Sequence, residues 1–84
     1  MTAPSRITLL GRPGCHLCDD ARVALRRITS DLEIGFNERS IVGDPDLEAR
    51  WADYVPVFLV DGRVIGWFQV DETRLLAALR AGPG

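Results

Sequence analysis

Residues 11–28 read GRPGCHLCDDARVALRRI, and the fold turns on how this stretch divides. A short apolar run with β-branched members, residues 7–10, precedes it. Gly11 and Pro13-Gly14 close that run, which predicts a buried strand entering a turn. From Cys15 to about Ser30 the period becomes helical. Leu17, Ala21, Ala24 and Ile28 fall at i, i+4, i+7 and i+11, which predicts one buried face. Asp19 and Asp20 stand in the opening turns and Arg26 and Arg27 near the end, matching the helix dipole.

Further along, Leu32, Ile34, Phe36 and Ile41 predict a second strand. Asp44-Pro45 reads as an N-cap followed by proline at the first helical position, opening a helix through Leu47, Trp51 and Tyr54. Residues 57–60, VFLV, predict a third strand. Asp61-Gly62 turns it into residues 64–67, a strong hairpin signal. Asp71 then caps a last helix carrying Leu75, Leu76 and Leu79, which ends near Gly82-Pro83. The order is β-α-β-α-β-β-α. Its front half predicts a parallel pair with a right-handed crossover, and the hairpin adds an antiparallel pair. The expectation is an α/β fold with a four-stranded mixed sheet and helices on both faces. The 84 residues make a single domain, 1–84, with its core at about 6–81.

The chain is 46% apolar with a net charge of −2, which argues against disorder. No apolar run approaches the roughly 20 residues of a membrane span. The opening MTAPSRITLLGRPG lacks the apolar core of a signal peptide. A cytoplasmic protein without membrane contact is expected, as a monomer. All 10 basic residues are arginine; they are scattered and outnumbered by 12 acidic ones. Nucleic acid would require a clustered positive face, so it is not an expected partner.

Cys15 and Cys18 are the only cysteines, and they admit three uses. A structural staple is disfavoured, because a reducing compartment opposes it and so short a loop restricts the unfolded chain little. A structural zinc site wants four ligands, and the chain offers two thiols with His16 between them, so no metal is expected. Redox chemistry fits the spacing. At a helix start the free N–H groups and the dipole favour a thiolate, which makes Cys15 the nucleophile. Cys18 lies one turn further in, more covered and within disulfide reach. Cys15 would attack a substrate disulfide and Cys18 would resolve the mixed disulfide.

With those residues in place the chain resembles a known family. Arg12-Pro13-Gly14-Cys15-His16-Leu17-Cys18 after a strand, Val55-Pro56 before another, and Asp61-Gly62 in a hairpin look like a glutaredoxin-like protein of the thioredoxin-fold superfamily. The likeness is greatest to the short bacterial members and spans about Ile7 to Leu79. It implies a thioredoxin fold and a cis peptide at Val55-Pro56 facing the cysteines. It also implies that the Val55 main chain holds the substrate, and that Arg12 acts on the Cys15 thiolate or on a substrate carboxylate.

The sequence departs from that family in three places. His16-Leu17 replaces the usual Pro-Tyr pair, so a charge on His16 would bear on the Cys15 thiolate and make the protein more oxidising. Trp67 stands where a second glycine is usual, crowding the glutathione site and offering contact to a partner. Residues 7–10 hold no carboxylate to accept the proton of Cys18. The implied activity is dithiol-disulfide exchange on protein disulfides, without a bound cofactor, re-reduced by a thioredoxin-reductase-like enzyme. The alternatives are a glutathione-dependent glutaredoxin, with glutathione as co-substrate, or a non-catalytic redox-sensing or binding module.

Overall fold

Strand β1 (Ile7–Gly11) runs inside the sheet, and its alternating side chains sort the molecule into two layers. The structure, a computed structural model, describes residues 5–82. After β1 come α1 (His16–Asp31), β2 (Phe36–Ser40), α2 (Pro45–Trp51), β3 (Val57–Val60), β4 (Arg63–Trp67) and α3 (Glu72–Ala81). The strands lie in the order β2-β1-β3-β4. β1 pairs parallel with β2 and antiparallel with β3, and β3 pairs antiparallel with β4. The element order and the mixed four-stranded sheet are those the sequence predicts.

Ile7 and Leu9 of β1 point to the same face as Phe58 and Val60 of β3. There they meet Ala21, Leu25 and Ile28 of α1 and Leu75 of α3. Leu10 and Val57 point the other way, into a smaller cluster with Cys18, Ile41 and Val55. Leu47 and Trp51 of α2, with its C-cap Ala52, pack against that cluster. Helices therefore cover both faces, which is the thioredoxin-type arrangement.

The local signals hold. Asp44 Oδ1 accepts the Leu47 N–H at 3.2 Å with Pro45 opening α2. Asp71 Oδ1 accepts the Arg74 N–H at 3.0 Å at the head of α3. In the hairpin, Asp61 (φ 53°) and Gly62 (φ 82°) are both left-handed, as a two-residue turn of this kind requires. The Arg6 guanidinium donates to both Asp61 carboxylate oxygens, at 3.0 and 2.8 Å, and to the Leu79 carbonyl at 3.0 Å. That clamp ties the turn to α3 and holds the Asp61 carboxyl below its ordinary pKa.

One helix face and two boundaries differ from expectation. The buried face of α1 is Cys18, Ala21, Leu25, Ile28 and Thr29, while Leu17 is 40% exposed. Two stripes compete on this helix, and the one carrying Leu25 removes more apolar area from water than the one carrying Ala24. β2 begins at Phe36 rather than Leu32. α1 persists to Asp31, Leu32 caps it, Glu33 turns left-handed at φ 57°, and the Ile34 N–H returns to the Thr29 carbonyl at 2.9 Å. Leu32 and Ile34 are consequently exposed in the connection. α2 stops at Trp51, short of Tyr54. The N–H groups of Tyr54 and Val55 both go to the Trp51 carbonyl, at 2.9 and 3.1 Å, a tight turn forced by Pro56, since the residue before proline avoids helix. α3 ends at its C-cap Gly82, left-handed at φ 77°, as expected, and Pro83 lies outside the described residues. Among those described, no helix is long and apolar enough to cross a membrane.

Candidate active site

The turn Pro13-Gly14 delivers the chain to α1, with Gly14 left-handed at φ 74°. Cys15 is the N-cap, in extended conformation, and its Sγ accepts the Cys18 N–H at 3.1 Å. Its carbonyl accepts the Asp19 N–H at 3.1 Å. The position that Ser, Thr or Asp normally fills thus holds a sulfur, where a free helical N–H and the dipole both favour the anion. Cys15 is half-buried and Cys18 is 1% exposed. Their Cα atoms are 5.2 Å apart and the two sulfurs lie within bonding distance. A reachable first sulfur and a covered second one are therefore brought together.

Cys18 is enclosed by Leu10, Ile41, Val55 and Val57. It also lies against Gly11, the last residue of β1. A side chain at Gly11 would place its Cβ 3.1 Å from the Cys18 Sγ and 3.3 Å from the Cys18 Cβ. Gly11 thus makes room for the second cysteine, a role the sequence reading missed by treating it as the end of a strand. The available signal was a glycine one strand-turn before the motif, on the side facing the helix.

Val55-Pro56 is cis and both residues are buried, with Cys15 packed against the same cluster as Val55. The Val55 N–H is already bonded to the Trp51 carbonyl, at 3.1 Å. Its carbonyl accepts no hydrogen bond among the described residues. The main chain there presents an acceptor and not a donor. The Pro56 carbonyl accepts the Phe68 N–H at 2.8 Å, which fastens the end of the hairpin to the cis-proline turn.

That fastening assembles an aromatic rim. The Tyr54 ring lies 6.2 Å from Trp51, 5.9 Å from Trp67 and 6.3 Å from Phe68. Trp67 is 48% exposed, so it stands beside the site as a surface residue rather than as hairpin filling. Tyr54 and Phe68 join it there, and neither was singled out as a site residue from the sequence. Phe68 takes φ 70°, a left-handed conformation that costs an L-residue about 1–2 kcal/mol. Phe68, Gln69 and Val70 face Leu17, Asp20, Ala21 and Ala24 across a groove of about 270 Å³.

Arg12 precedes the turn and donates from Nη1 to the Ala52 carbonyl at 3.5 Å, linking the cysteine loop to the end of α2. It lines a separate cavity of about 160 Å³ with Gly11, Arg22 and Glu38. Arg22 donates to Glu38 Oε1 at 2.6 Å and to Asp19 Oδ1 at 2.9 Å. These bonds raise the guanidinium pKa and hold the Glu38 carboxyl below its ordinary value. His16, the first helical residue, is exposed, and its imidazole has no partner among the described residues. No group of three or more His, Cys, Asp or Glu able to hold a metal converges among those residues.

Comparison with known proteins bears on the family and the fold. The family model for the Glutaredoxin-like domain (DUF836) matches residues 6–80. An uncharacterized protein of Mycobacterium tuberculosis is 38% identical over 79 residues, which cover 86% of this chain and 79% of that protein. An X-ray structure of a protein from X. campestris superposes with a TM-score of 0.72 at 37% identity, covering 92% of this chain and 99% of that one. Reduced Escherichia coli glutaredoxin superposes with a TM-score of 0.59 at 20% identity, covering 90% and 94%; that likeness is one of fold.

Proposed function

The chain belongs to the glutaredoxin-like domain family, and on that footing we propose that it is a dithiol-disulfide oxidoreductase. The observation that carries the reading is the unlike placement of the two sulfurs: Cys15 reachable at a helix N-cap, Cys18 buried behind it at disulfide distance. The Cys15 thiolate attacks a substrate disulfide, forming a bond to one sulfur while the other leaves as thiolate and takes a proton from solvent. The Cys18 thiol then gives its proton to water and attacks the Cys15 sulfur. The Cys15–Cys18 bond forms, the mixed disulfide breaks, and the second substrate thiolate departs. Two electrons have passed to the substrate.

A thioredoxin-reductase-like enzyme returns those electrons, and the cycle belongs in a reducing compartment such as the cytoplasm. Protein disulfides are the substrates, held at Val55-Pro56 with Trp67 beside them. Arg12, in the loop that leads to Cys15, supplies positive charge near its thiolate.

The test is a titration in glutathione redox buffers, quenched by alkylation and read by intact mass. Reversible conversion between the dithiol and the Cys15–Cys18 disulfide is expected, with a midpoint in the range of roughly −270 to −120 mV spanned by known exchangers. Cys15→Ser should abolish exchange, and Cys18→Ser should trap a mixed disulfide on Cys15. A dithiol that never oxidises would sink the reading. A glutathione adduct dominating the unmutated protein would favour glutathione-dependent chemistry instead.

A further inference from the structure

The groove lined by Leu17, which lies between the two cysteines in the chain, carries negative charge, and outside that lining the cluster against which Cys15 packs offers a hydrogen-bond acceptor. The Val55 carbonyl is unclaimed, while the matching N–H is committed to Trp51. On the groove wall the Asp20 carboxylate is exposed and has no partner among the described residues. Leu17, Ala21, Ala24, Phe68 and Val70 supply an apolar lining.

No residue lining the groove is cationic. Arg12 bonds the Ala52 carbonyl and lines the other cavity, Arg22 is held by Glu38 and Asp19, and Arg74 donates to the Ile65 carbonyl at 3.2 Å. The start of α3, where free N–H groups would attract an anion, is closed by the Asp71 carboxylate and carries Glu72 in its first turn. A ligand rich in carboxylates meets no counter-charge in this groove. Its volume is about 270 Å³. It suits one long side chain.

We propose that the groove selects protein disulfides in which an arginine or lysine lies within a residue or two of the reacting cysteine; this rests on the oxidoreductase reading above. The aliphatic stem lies along Leu17, Ala24 and Phe68, and the cationic head reaches Asp20. A peptide N–H near the substrate cysteine is donated to the Val55 carbonyl. Glutathione, with its carboxylates, is the poorer fit.

Two disulfide-linked peptides, identical except for Arg or Glu two residues after the cysteine, test this. Their reduction by the reduced full chain is followed by quenched mass spectrometry, with oxidised glutathione alongside. The Arg peptide should react about two- to fivefold faster, the scale of an exposed charge pair. The ratio should shrink at high salt, where such pairs are screened. Asp20→Asn should bring it near one, and Asp53→Asn should leave it intact. Equal rates for the two peptides, or a ratio that Asp20→Asn does not move, would overturn the proposal while leaving the oxidoreductase reading in place. If neither peptide nor oxidised glutathione is reduced, both readings fall.

Discussion

Beneath α1 and α3 the sheet presents Ile7, Leu9, Phe58 and Val60 to Leu25, Ile28 and Leu75, all of them at most 3% exposed. Its other face gives Leu10 and Val57 to Cys18, Ile41 and Val55, and the helix covering it, α2, contributes no fully buried residue. The same alternation of side chains in β1 and β3 feeds both layers, yet they do different work. The first is closed and made of large aliphatic and aromatic groups, and most of the fold's stability resides there. The second is thinner, includes Cys18, and opens at its margin onto Tyr54, Trp67 and Phe68. Fewer buried contacts mean cheaper local opening on this side of the sheet.

The strongest challenge to this contrast comes from the closed layer. Phe58→Ala should destabilise the protein by about 3–5 kcal/mol, read by denaturant unfolding. Among molecules still folded, the alkylation rate of Cys15 should not change. A change in that rate would mean that the two layers are not separable. Gly11→Ala acts where the layers meet. The added methyl crowds the Cys18 sulfur, and overpacking of this kind costs about 1–3 kcal/mol. Its signature is slower resolution of a mixed disulfide on Cys15, measured by quench and mass, rather than slower formation of it. Stability loss without that kinetic split would show that Gly11 serves packing alone.

The smallest effect concerns the edge of the sheet. Glu38 is held below its ordinary value of 4.5 chiefly by hydrogen bonds from Arg22. A lowered carboxyl pKa in the folded state means that the pair stabilises above the ordinary value, and that this contribution fades as pH falls through the lowered one. Glu38→Gln should therefore cost under about 1 kcal/mol near neutrality, as expected for a largely exposed pair. At about pH 3 the gap in denaturant midpoint between variant and parent should narrow, and a gap that widened instead would contradict the assignment.

Much of the architecture was legible because its signals are local. Asp44-Pro45, Asp61-Gly62 and Asp71 each fix a cap or turn by their own chemistry, and each sits where expected. Cys15 and Cys18 were legible for the same reason, since a helix start is written in a few residues. What the sequence did not disclose depends on neighbours. Leu17 and Leu25 are equally apolar, and only the packing of α1 on the sheet decides which is buried. The room that Gly11 leaves for Cys18 and the meeting of Tyr54 with Phe68 arise between separate elements, and the bond from the Val55 N–H to Trp51 belongs to a local turn that the hydrophobic pattern does not reveal. No periodicity reports such encounters.

β2 forms one rim of the sheet, with a row of main-chain groups on its open side. Of its polar side chains, Glu38 is drawn to Arg22 on α1, and Arg39 to Asp44 at the head of α2, at 3.0 Å. A charge is thereby pinned on each face of the rim. A foreign strand pairing there would have to lay its own side chains against them. Fixed charges of this kind discourage end-to-end stacking of sheets. They make this rim a poor template for a further strand.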